Sequence, residues 1–558
     1  MPLRQLVLPF LCALLLHAPM LHAQSAPVSE MLQAQTDPVA GMLRQWLEGI
    51  DPDTDLNIGS CRLQSSPILP ELYKRRAYTP VWTRPESVAE LIAAIRESYA
   101  EGLNPQEYHL AWILNMLEGN RSGIASDPSM SASLDMLLTD AFIQLAGHTT
   151  CGREDPATHQ PLWERERTLG GDDPVDFFEK GLASPSIART IDSWKVRHPY
   201  YERLKQALAA YRSIRSNGGW QRVPEGKILK PGMSGVEVAA LRRRLAAEDP
   251  QFRAEADPMR FDRGLHLAVQ RFQEQHGLEP DGVAGSETLA ELNVPVEYRI
   301  DQIRINLERG RWVLSELGDT FVMVDIAGFS AHFRKQGRIV WSGKVVVGQP
   351  YRNTPVLRSK VAYLEFNPPW TIPPTIRDED VLPALVEDPL YLRKNRIMVI
   401  DGKGLVIPPE TVNWSLYPAE PFPYRLVQNP GAGNPLGRIK IMFPNEHLVY
   451  LHDTPDKSLF EQDDRTLSSG CIRVESPFEL AALLLDNYAG WSPERLSKAA
   501  ATGLTWRINL PEPVPILLMY STVTVDDTGT VFFKKDPYSR DPLMLKGLSL
   551  DSEISPAI

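Results

Sequence analysis

Towards the end of the sequence, a histidine and a cysteine stand in a spacing that could support acyl transfer. His452 is followed by a mainly polar run, and then by a segment from Ser468 to Arg473 that contains Cys471. A cysteine attacks a carbonyl carbon as its thiolate, so it needs a base, a positive neighbour or oriented backbone dipoles to lose its proton. His452 could be that base, and Arg473 that neighbour, if the polar run folds back. The spacing therefore indicates nucleophilic catalysis by Cys471.

The backbone around Cys471 also offers a way to stabilise an oxyanion. Gly470 would let the chain approach a reacting carbonyl closely, and the N–H groups of Gly470 and Cys471 could form an oxyanion hole. The alternative is that Cys471 is a small buried hydrophobe whose spacing from His452 is a coincidence in a long chain. The rest of the sequence must decide between these interpretations.

Strands are the elements that must position this pair. From Phe321 onwards, runs of β-branched and aromatic residues are separated by turn residues, which is the pattern of a mainly β domain. Two of the runs predict a hairpin whose second strand ends at His452. The predicted strands are Phe321–Ile326, Arg338–Trp341, Lys344–Gly348, Arg438–Phe443 and Leu448–His452.

A capped helix and a long insertion complete this predicted domain. Ser476, Pro477 and Glu479 stand as an N-cap, an N1 proline and an N3 acidic residue, so they predict a helix after the cysteine. Residues 371–437 interrupt the strands with a proline-rich segment that is too long for a simple loop. Such insertions are usually lids or binding loops, so we expect a mobile lid over Cys471, with an ordinary structural subdomain as the weaker alternative.

Residues 228–294 have the pattern of a small module of three helices. Ser234 and Glu237 form a capping box, in which each side chain bonds a free backbone N–H group, so the first helix is expected to begin there. An apolar stripe predicts the second helix, and Ser286 begins the third. The stripe consists of Leu265, Ala268, Val269 and Phe272.

The region before this module, from about residue 29 to residue 220, alternates helical-period runs with breaks that contain proline and glycine. We expect a helical scaffold there, without a polar triad or metal-ligand spacing. At the very start of the chain, Arg4, an apolar run from Leu6 to Leu16 and the small residue Ala23 make a secretory signal, too short to span a bilayer. We therefore expect the protein to be exported to the periplasm.

Three cysteines would remain after removal of the signal, which is an odd number. In an oxidising compartment, thiols tend to be either paired or used in chemistry. We expect Cys61 and Cys151 to form a disulfide, because both lie in the helical region while Cys471 lies in the candidate motif.

Length, charge and missing motifs exclude several classes of protein. The 558 residues are enough for two to four domains, and a net charge of −11 argues against a nucleic-acid binder. The sequence has no H-E-x-x-H, S-x-x-K or K-T-G motif, so neither a zinc peptidase nor a penicillin-binding serine transpeptidase has a signature here.

The segment from His452 to Arg473 resembles the H-x(n)-[ST]-x-G-C-x-[NR] signature of YkuD-type L,D-transpeptidases. The resemblance covers nearly the whole mature chain and is closest to the large YcbB-like group, in which a helical scaffold, a peptidoglycan-binding module and a catalytic domain occur in this order. One departure is Ser469, where many relatives carry histidine. Further catalytic-domain resemblance lies in Val346–Pro350, Asn367–Pro373 and Gly431–Gly437, and Leu229–Gly232, Val269–Gln273 and Leu278–Gly282 resemble the peptidoglycan-binding domain type 1 repeat.

The resemblance implies a multidomain α+β fold and a division of the chain. The implied domains are a signal peptide at 1–23, a helical scaffold at 24–224, a peptidoglycan-binding domain at 225–296, a catalytic domain at 297–512 with its lid insertion at about 371–437, and a C-terminal β extension at 513–558.

The resemblance also implies roles for individual residues. Cys471 is the nucleophile, His452 is the proton acceptor and donor, and Asp453 orients His452 through its backbone carbonyl. Ser469 and Gly470 belong to the backbone that stabilises the oxyanion. Arg473, Tyr450 and Trp370 are the implied substrate-binding residues, although a place in the strand core is as good an interpretation of the two aromatic rings.

The implied reaction is peptidoglycan transpeptidation that makes 3→3 cross-links between diaminopimelate residues through a cysteine thioester and releases D-alanine. No metal or organic cofactor is implied. The implied partners are the stem peptides and glycan of peptidoglycan, with other cell-wall synthases as candidates, no nucleic acid, and at most a peripheral contact with the membrane. The sequence leaves open an L,D-carboxypeptidase, a lipoprotein-anchoring transferase and a non-catalytic wall-binding scaffold.

Overall fold

The computed structural model describes residues 37–51, 54–121, 127–154, 173–249, 252, 257–314, 317–417, 421–485 and 488–549. The expected signal peptide, residues 1–23, lies outside them. Over the described ranges, no helix is both long and apolar enough to cross a membrane. The chain forms two compact units: one takes the described residues up to 83 together with 113–139, and the other takes 84–112 together with those from 140 onwards.

The scaffold region is helical, as predicted, but it is not a single compact unit. Its described part is shared between the two units, and the domain boundaries at 24 and 224 stay a prediction. Helical periodicity shows which face of a helix is buried, but it does not show which core buries that face. The α-helices of this region are Pro38–Leu47, Leu69–Arg75, Pro85–Glu97, Leu110–Arg121, Pro128–Cys151, Pro174–Leu182, Ile187–Trp194 and Pro199–Ser216.

The first unit contains a hairpin of two short strands, β1 (Asn57–Ile58) and β2 (Cys61–Arg62), and a buried carboxylate. Asp135 accepts hydrogen bonds from the Tyr73 hydroxyl at 2.6 Å and from the backbone N–H of Trp82 at 2.9 Å. Burial raises the pKa of Asp135, and these two donors act in the opposite direction. The network therefore joins the two stretches of chain that make up this unit.

The second unit carries the remaining strands and helices. Its strands in chain order are β3 (Phe321–Asp325), β4 (Ser330–Lys335), β5 (Arg338–Gly348), β6 (Leu357–Phe366), β7 (Trp370–Thr371), β8 (Ile397–Ile400), β9 (Val406–Ile407), β10 (Arg425–Gln428), β11 (Ile439–Met442), β12 (Leu451–His452), β13 (Thr466–Ser468), β14 (Ile472–Val474), β15 (Trp506–Met519), β16 (Val523–Val525) and β17 (Val531–Phe533). Its later helices include Val236–Glu248, Arg263–Gln275, Ser286–Leu292, Val296–Val313, Pro477–Leu484, Pro493–Ala500 and Asp541–Ser549.

Nine of these strands form the main sheet, in the order β13-β5-β14-β12-β11-β6-β15-β3-β4, around a core of valine, isoleucine, leucine and phenylalanine side chains. The hairpin predicted before His452 is confirmed, because β11 and β12 pair antiparallel with Lys440 opposite His452. The two strands predicted at 338–341 and 344–348 are instead one strand, since Ser342 and Gly343 continue the pairing with β4.

The helix predicted after the cysteine begins at Pro477 with Ser476 as its N-cap, but the predicted cap contacts are absent. The Ser476 side chain makes no capping hydrogen bond in this helix, and the Glu479 carboxylate accepts one from the Trp341 indole at 3.2 Å. A tertiary partner has therefore taken the acidic side chain that a capping box would use.

The insertion, residues 371–437, folds as a subdomain. Strands β7, β10, β8 and β9 form its four-stranded sheet, together with a π-helix at Arg377–Val381 and helices at Pro374–Ile376, Leu382–Glu387 and Tyr391–Lys394. It has its own core, in which Val381, Leu392, Val399 and Leu426 are buried. The insertion is therefore ordered by its own packing, and its movement as a lid stays a prediction.

Strand β15 runs through the predicted boundary between residues 512 and 513. It pairs with β6 from Trp506 to Leu518, with an irregular register between Asn509 and Val514. Prolines at 511, 513 and 515 lack the N–H that a ladder requires. The irregularity accommodates two of them, and the first part of the predicted C-terminal extension belongs to the main sheet.

The three-helix module is confirmed, with its apolar stripe buried in a core of its own. Its first helix begins one residue later than predicted, because the Gly235 carbonyl accepts the first helical hydrogen bond and Gly235 is the N-cap. Ser234 instead bridges to Arg260, and the Glu237 carboxylate pairs with Lys227 Nζ at 2.6 Å. The predicted capping box is therefore wrong, since other partners take both of its members.

The module packs on the hairpin formed by β16 and β17. The His276 ring stacks between Phe272 of the module, at 3.8 Å between ring centroids, and Phe533 of β17, at 5.4 Å. Burial lowers the pKa of His276 to about 4, so the stacked ring is neutral at pH 7. The Arg299 guanidinium lies 4.5 Å from the centroid of the same Phe533 ring. Since Arg299 also pairs with Glu291 of the module, stacked rings and a cation together hold the module on the hairpin of β16 and β17.

Candidate active site

The polar run between His452 and Cys471 folds back, so that the two residues lie on neighbouring strands. Strand β14 pairs parallel with β12, with Leu451 opposite Ile472 and His452 opposite Arg473. Side chains two residues apart on a strand share a face, so Cys471 and Arg473 project beside Tyr450 and His452. The Tyr450 and His452 rings meet edge to face at 5.7 Å. The structure therefore brings these four sequence-predicted residues together.

His452 is buried and held in one tautomer. Its Nδ1 lies 2.5 Å from the backbone carbonyl oxygen of Asp453. Because a carbonyl only accepts, Nδ1 carries the hydrogen and Nε2 presents a lone pair. Burial lowers the pKa of His452 to about 3, and the positive charge of Arg473 acts in the same direction. The imidazole is therefore neutral at pH 7 and able to accept a proton.

The carboxylate of Asp453 fixes the carbonyl that holds the histidine. It accepts hydrogen bonds from the backbone N–H of Arg438 at 2.9 Å and from Lys457 Nζ at 2.8 Å. Gly437 lies against it with a φ of +60°, where an added Cβ would stand 2.5 Å from Asp453 Oδ2. Only glycine leaves room for this approach, so the Gly431–Gly437 segment shapes the support of His452.

The Cys471 thiol keeps its proton at neutral pH. Burial of the sulfur raises its pKa, while hydrogen bonds from the Tyr450 backbone N–H and hydroxyl and the charges of Lys440 and Arg473 act in the opposite direction. The sulfur also lies 3.9 Å from the Leu448 carbonyl oxygen. With a neutral histidine beside a protonated thiol, proton removal has to accompany attack.

Tyr450 links the thiol to Trp370 and to a cation. Its hydroxyl lies near both the Cys471 thiol and the Trp370 side chain, and burial raises the pKa of Tyr450. Lys440 Nζ stands 3.9 Å from the centroid of the Tyr450 ring. Lys440 was not among the predicted site residues, although it belongs to the predicted hairpin, because the turn between the two strands did not define which residue lies opposite His452.

The loop before the nucleophile is tied by its own hydrogen bonds. The Gly470 N–H donates to Ser468 Oγ at 3.2 Å, and the Ser468 hydroxyl donates to the Cys471 carbonyl at 2.6 Å. Ser469 Oγ accepts from Arg352 Nη1 at 3.1 Å. Gly470 has a φ of +108°, a conformation that favours glycine. The N–H predicted to bind an oxyanion thus has an internal partner, which it would have to exchange for the substrate.

Within the described residues, no group of three or more histidine, cysteine or acidic side chains is arranged to hold a metal ion.

Three parts of the chain match known families. Residues 67–208 match a family described as "Scaffold domain", residues 234–292 match "Putative peptidoglycan binding domain", and residues 319–505 match the YkuD family, described as "L,D-transpeptidase catalytic domain".

A curated protein of Haemophilus influenzae, named "Putative L,D-transpeptidase", is 34% identical over 220 residues, which are 39% of this chain and 44% of that protein. The chain thus spans less than half the length of this relative. Two solved structures overlap with parts of the chain at low TM-scores. They are an L,D-transpeptidase of Xylanimonas cellulosilytica (16% identity, 53% of this chain, 98% of that chain, TM-score 0.17) and L,D-transpeptidase 1 of Mycobacterium tuberculosis (14%, 37%, 67%, 0.15).

Proposed function

We propose that this chain, which contains a YkuD L,D-transpeptidase catalytic domain and a peptidoglycan-binding domain, is a peptidoglycan L,D-transpeptidase that makes 3→3 cross-links. The observation that carries the proposal is the pairing of β12 with β14. It sets Cys471 beside a buried histidine whose Nδ1 is tied to a carbonyl and whose Nε2 can take a proton.

In the first half of the reaction, the donor is a tetrapeptide stem. As His452 takes the thiol proton, the Cys471 sulfur attacks the carbonyl carbon at the L-centre of diaminopimelate. The resulting oxyanion collapses, the C–N bond to D-alanine breaks, and His452 returns its proton to the leaving amine. The product is a thioester between Cys471 and the donor stem.

In the second half, the side-chain amine of diaminopimelate on another stem attacks the thioester carbonyl. His452 takes a proton from that amine, the C–S bond breaks, and the departing sulfur takes the proton back from His452, which restores the thiol and the neutral imidazole. The backbone N–H groups at Gly470 and Cys471, with Ser469 beside them, stabilise the oxyanion of both steps. The contact of Gly470 with Ser468 must then be replaced by one to the substrate.

The remaining site residues recognise the donor. Arg473 and Lys440 supply positive charge next to the sulfur, which suits the carboxylates of a stem peptide. Trp370 and Tyr450 form one wall of the pocket. The module at 228–294 binds the wall and raises the local concentration of stems, and the expected signal peptide would place the protein in the periplasm.

Two other acceptors are compatible with the same chemistry. Water would make the protein an L,D-carboxypeptidase, and an amine on a lipoprotein would make it an anchoring transferase. A non-catalytic wall-binding scaffold is disfavoured by the presence of both Cys471 and His452 at the ends of two neighbouring, paired strands.

The test is to incubate the mature protein with disaccharide tetrapeptides and to analyse the muropeptides by mass spectrometry. We expect a cross-linked dimer that has lost one D-alanine, and no dimer with the Cys471→Ala variant. Disaccharide tripeptide as the only product would identify a carboxypeptidase, and no product from wild-type protein would contradict the proposed catalysis.

A further inference from the structure

A short loop, residues 348–354, lies against the three residues that precede the nucleophile. The Gln349 N–H donates to the Ser468 carbonyl at 2.9 Å, and Thr354 Oγ1 donates to the Gly470 carbonyl at 2.8 Å. Between them, Arg352 donates to Ser469 Oγ at 3.1 Å. The loop thus contacts each of residues 468, 469 and 470 through a separate hydrogen bond.

The base of this loop is rigid. At Gly348 an added Cβ would stand 2.2 Å from the Arg352 carbonyl oxygen, so the two ends of the loop are close together. The Tyr538 hydroxyl, from the segment that follows β17, donates to the Gly348 carbonyl at 2.6 Å and accepts from the Thr354 N–H at 3.2 Å. The backbone at Arg352 is therefore held in place by the end of β5 at Gly348 and by the Tyr538 hydroxyl.

The guanidinium of Arg352 is also held from the insertion. Its Nη2 lies 2.5 Å from Glu379 Oε2, and its Nη1 lies 2.6 Å from Asp380 Oδ2. Both carboxylates belong to the π-helix Arg377–Val381. π-Helical turns are rare and frequently occur at functional sites. The side chain of Arg352 is 11% exposed, whereas those of Glu379 and Asp380 are 55% and 48% exposed.

The planar guanidinium makes these three contacts possible at once. It presents five N–H donors in a fixed fork, so two carboxylates and one hydroxyl can be bonded in defined directions. The two carboxylates favour the charged side chain and raise the pKa of Arg352. If the insertion moved away, Arg352 would lose both carboxylates and keep only the Ser469 hydroxyl and its own loop.

We propose that Arg352 is a positioning residue that couples the insertion to the nucleophile loop. With Glu379 and Asp380 in place, Arg352 holds Ser469 and with it the backbone at Gly470 and Cys471. When the insertion opens, this restraint on the loop is lost. Attack by Cys471 is then fast only while the insertion is closed over the site. The proposal rests on the proposed function, because it concerns the alignment of the same thiol.

The experiment measures acylation of Cys471 by a carbapenem, with intact-protein mass spectrometry over a range of carbapenem concentrations. We expect Arg352→Ala to lower the maximal acylation rate by at least about tenfold, since a misplacement of about 1 Å at a reacting group can cost 10²-fold. The half-saturating concentration should change much less. Arg352→Lys should be intermediate, because an ammonium keeps the charge but cannot make all three contacts.

A double-mutant comparison separates coupling from simple loss of packing. The combined Glu379→Gln/Asp380→Asn variant should also slow maximal acylation, and adding Arg352→Ala to it should have little further effect. Asp388→Asn is the matched control, because Asp388 forms an exposed ion pair with Lys394 elsewhere in the insertion. It should acylate at the wild-type rate.

Three outcomes would overturn the inference: wild-type maximal rates for Arg352→Ala, effects of the arginine and carboxylate changes that multiply independently, or an equal loss in Asp388→Asn. If Arg352→Ala failed to fold, the maximal acylation rates of Arg352→Lys and of the carboxylate variant would still test the coupling. Both variants change contacts to half-exposed carboxylates and should fold. A wild-type protein that is not acylated at Cys471 would contradict the proposed function instead, so the two failures are distinguishable.

Discussion

Gly437 offers a test of how His452, the proposed proton acceptor, is supported, without a change to any group of the proposed reaction. A Gly437→Ala substitution places a methyl group 2.5 Å from Asp453 Oδ2, at a φ of +60°. The Asp453 carboxylate must then move, and its hydrogen bonds from the Arg438 N–H and Lys457 are lengthened or lost. The Asp453 carbonyl, which holds His452 Nδ1, moves with it.

Two costs to stability follow from this geometry. A non-glycine residue in the left-handed region costs roughly 1–2 kcal/mol. Forcing an extra carbon into a packed site costs typically about 1–3 kcal/mol. We therefore expect the variant to lose about 2–5 kcal/mol of its free energy of unfolding, which lowers Tm by several degrees.

The cost to activity comes from the histidine. Once its Nδ1 partner shifts, His452 can take the other tautomer or turn away from the thiol, so acylation should fall by roughly 10²-fold. The assay is carbapenem acylation followed by intact-protein mass spectrometry, with thermal unfolding measured on the same sample. Gly433→Ala is the matched control, because a Cβ at Gly433 meets nothing within 4 Å, and it should change neither quantity appreciably.

Tm and the acylation rate test two separate steps of this prediction. An unchanged Tm for Gly437→Ala would mean that the close approach of Asp453 is not required. A lower Tm with an unchanged acylation rate would mean that the Asp453 carbonyl does not position His452.

Four further predictions concern the site and its surroundings. Cys471→Ala should abolish carbapenem adduct formation, and His452→Ala should slow it by about 10²-fold or more while the protein stays folded; an adduct that maps to another cysteine in peptide digests would refute this. Lys440→Met should raise the pKa of the Cys471 thiol further, because a charge that stabilises the thiolate is removed. The pH dependence of iodoacetamide alkylation should then shift to higher pH. An unchanged pH dependence would mean that Lys440 does not influence the Cys471 thiol. Cys61 and Cys151 are not joined by a disulfide in the structure, contrary to the pairing expected from the sequence; non-reducing peptide maps should therefore show no peptide that links them, and a linked peptide would restore the expected pair. Backbone amides of the insertion should exchange faster than those of β6 and β11 and become slower after acylation, whereas equal, unchanged exchange would contradict a mobile lid.

The sequence was most informative where chemistry is local in the chain. The segment from Ser468 to Arg473 and His452 at its strand end predicted the candidate site, and the family resemblance over the module and the catalytic domain is confirmed by the matches at 234–292 and 319–505. The apolar stripe of the module was also predictable, because a helical period is a property of neighbouring residues.

Residues brought to the site by long-range pairing could not be predicted in this way. Lys440 faces His452 only through the register of β11 and β12, and Arg352 reaches Ser469 across more than a hundred residues of sequence. Local rules failed where tertiary partners competed with them. Glu479 bonds an indole instead of capping its helix, and the prolines in β15 are absorbed by an irregular register.

The stacking of His276 between Phe272 and Phe533 has a consequence for the geometry of any wall-bound state. A tether of flexible chain would let the thiol sample stems over a wide range of separations. A module that is held by aromatic rings on the hairpin of β16 and β17 instead keeps one fixed distance from the thiol. Under the proposed function, the effective concentration of donor stems is high at one distance along the glycan and falls to almost zero at others. The spacing of new cross-links would then be set by the dimensions of the protein, and not by the supply of stems.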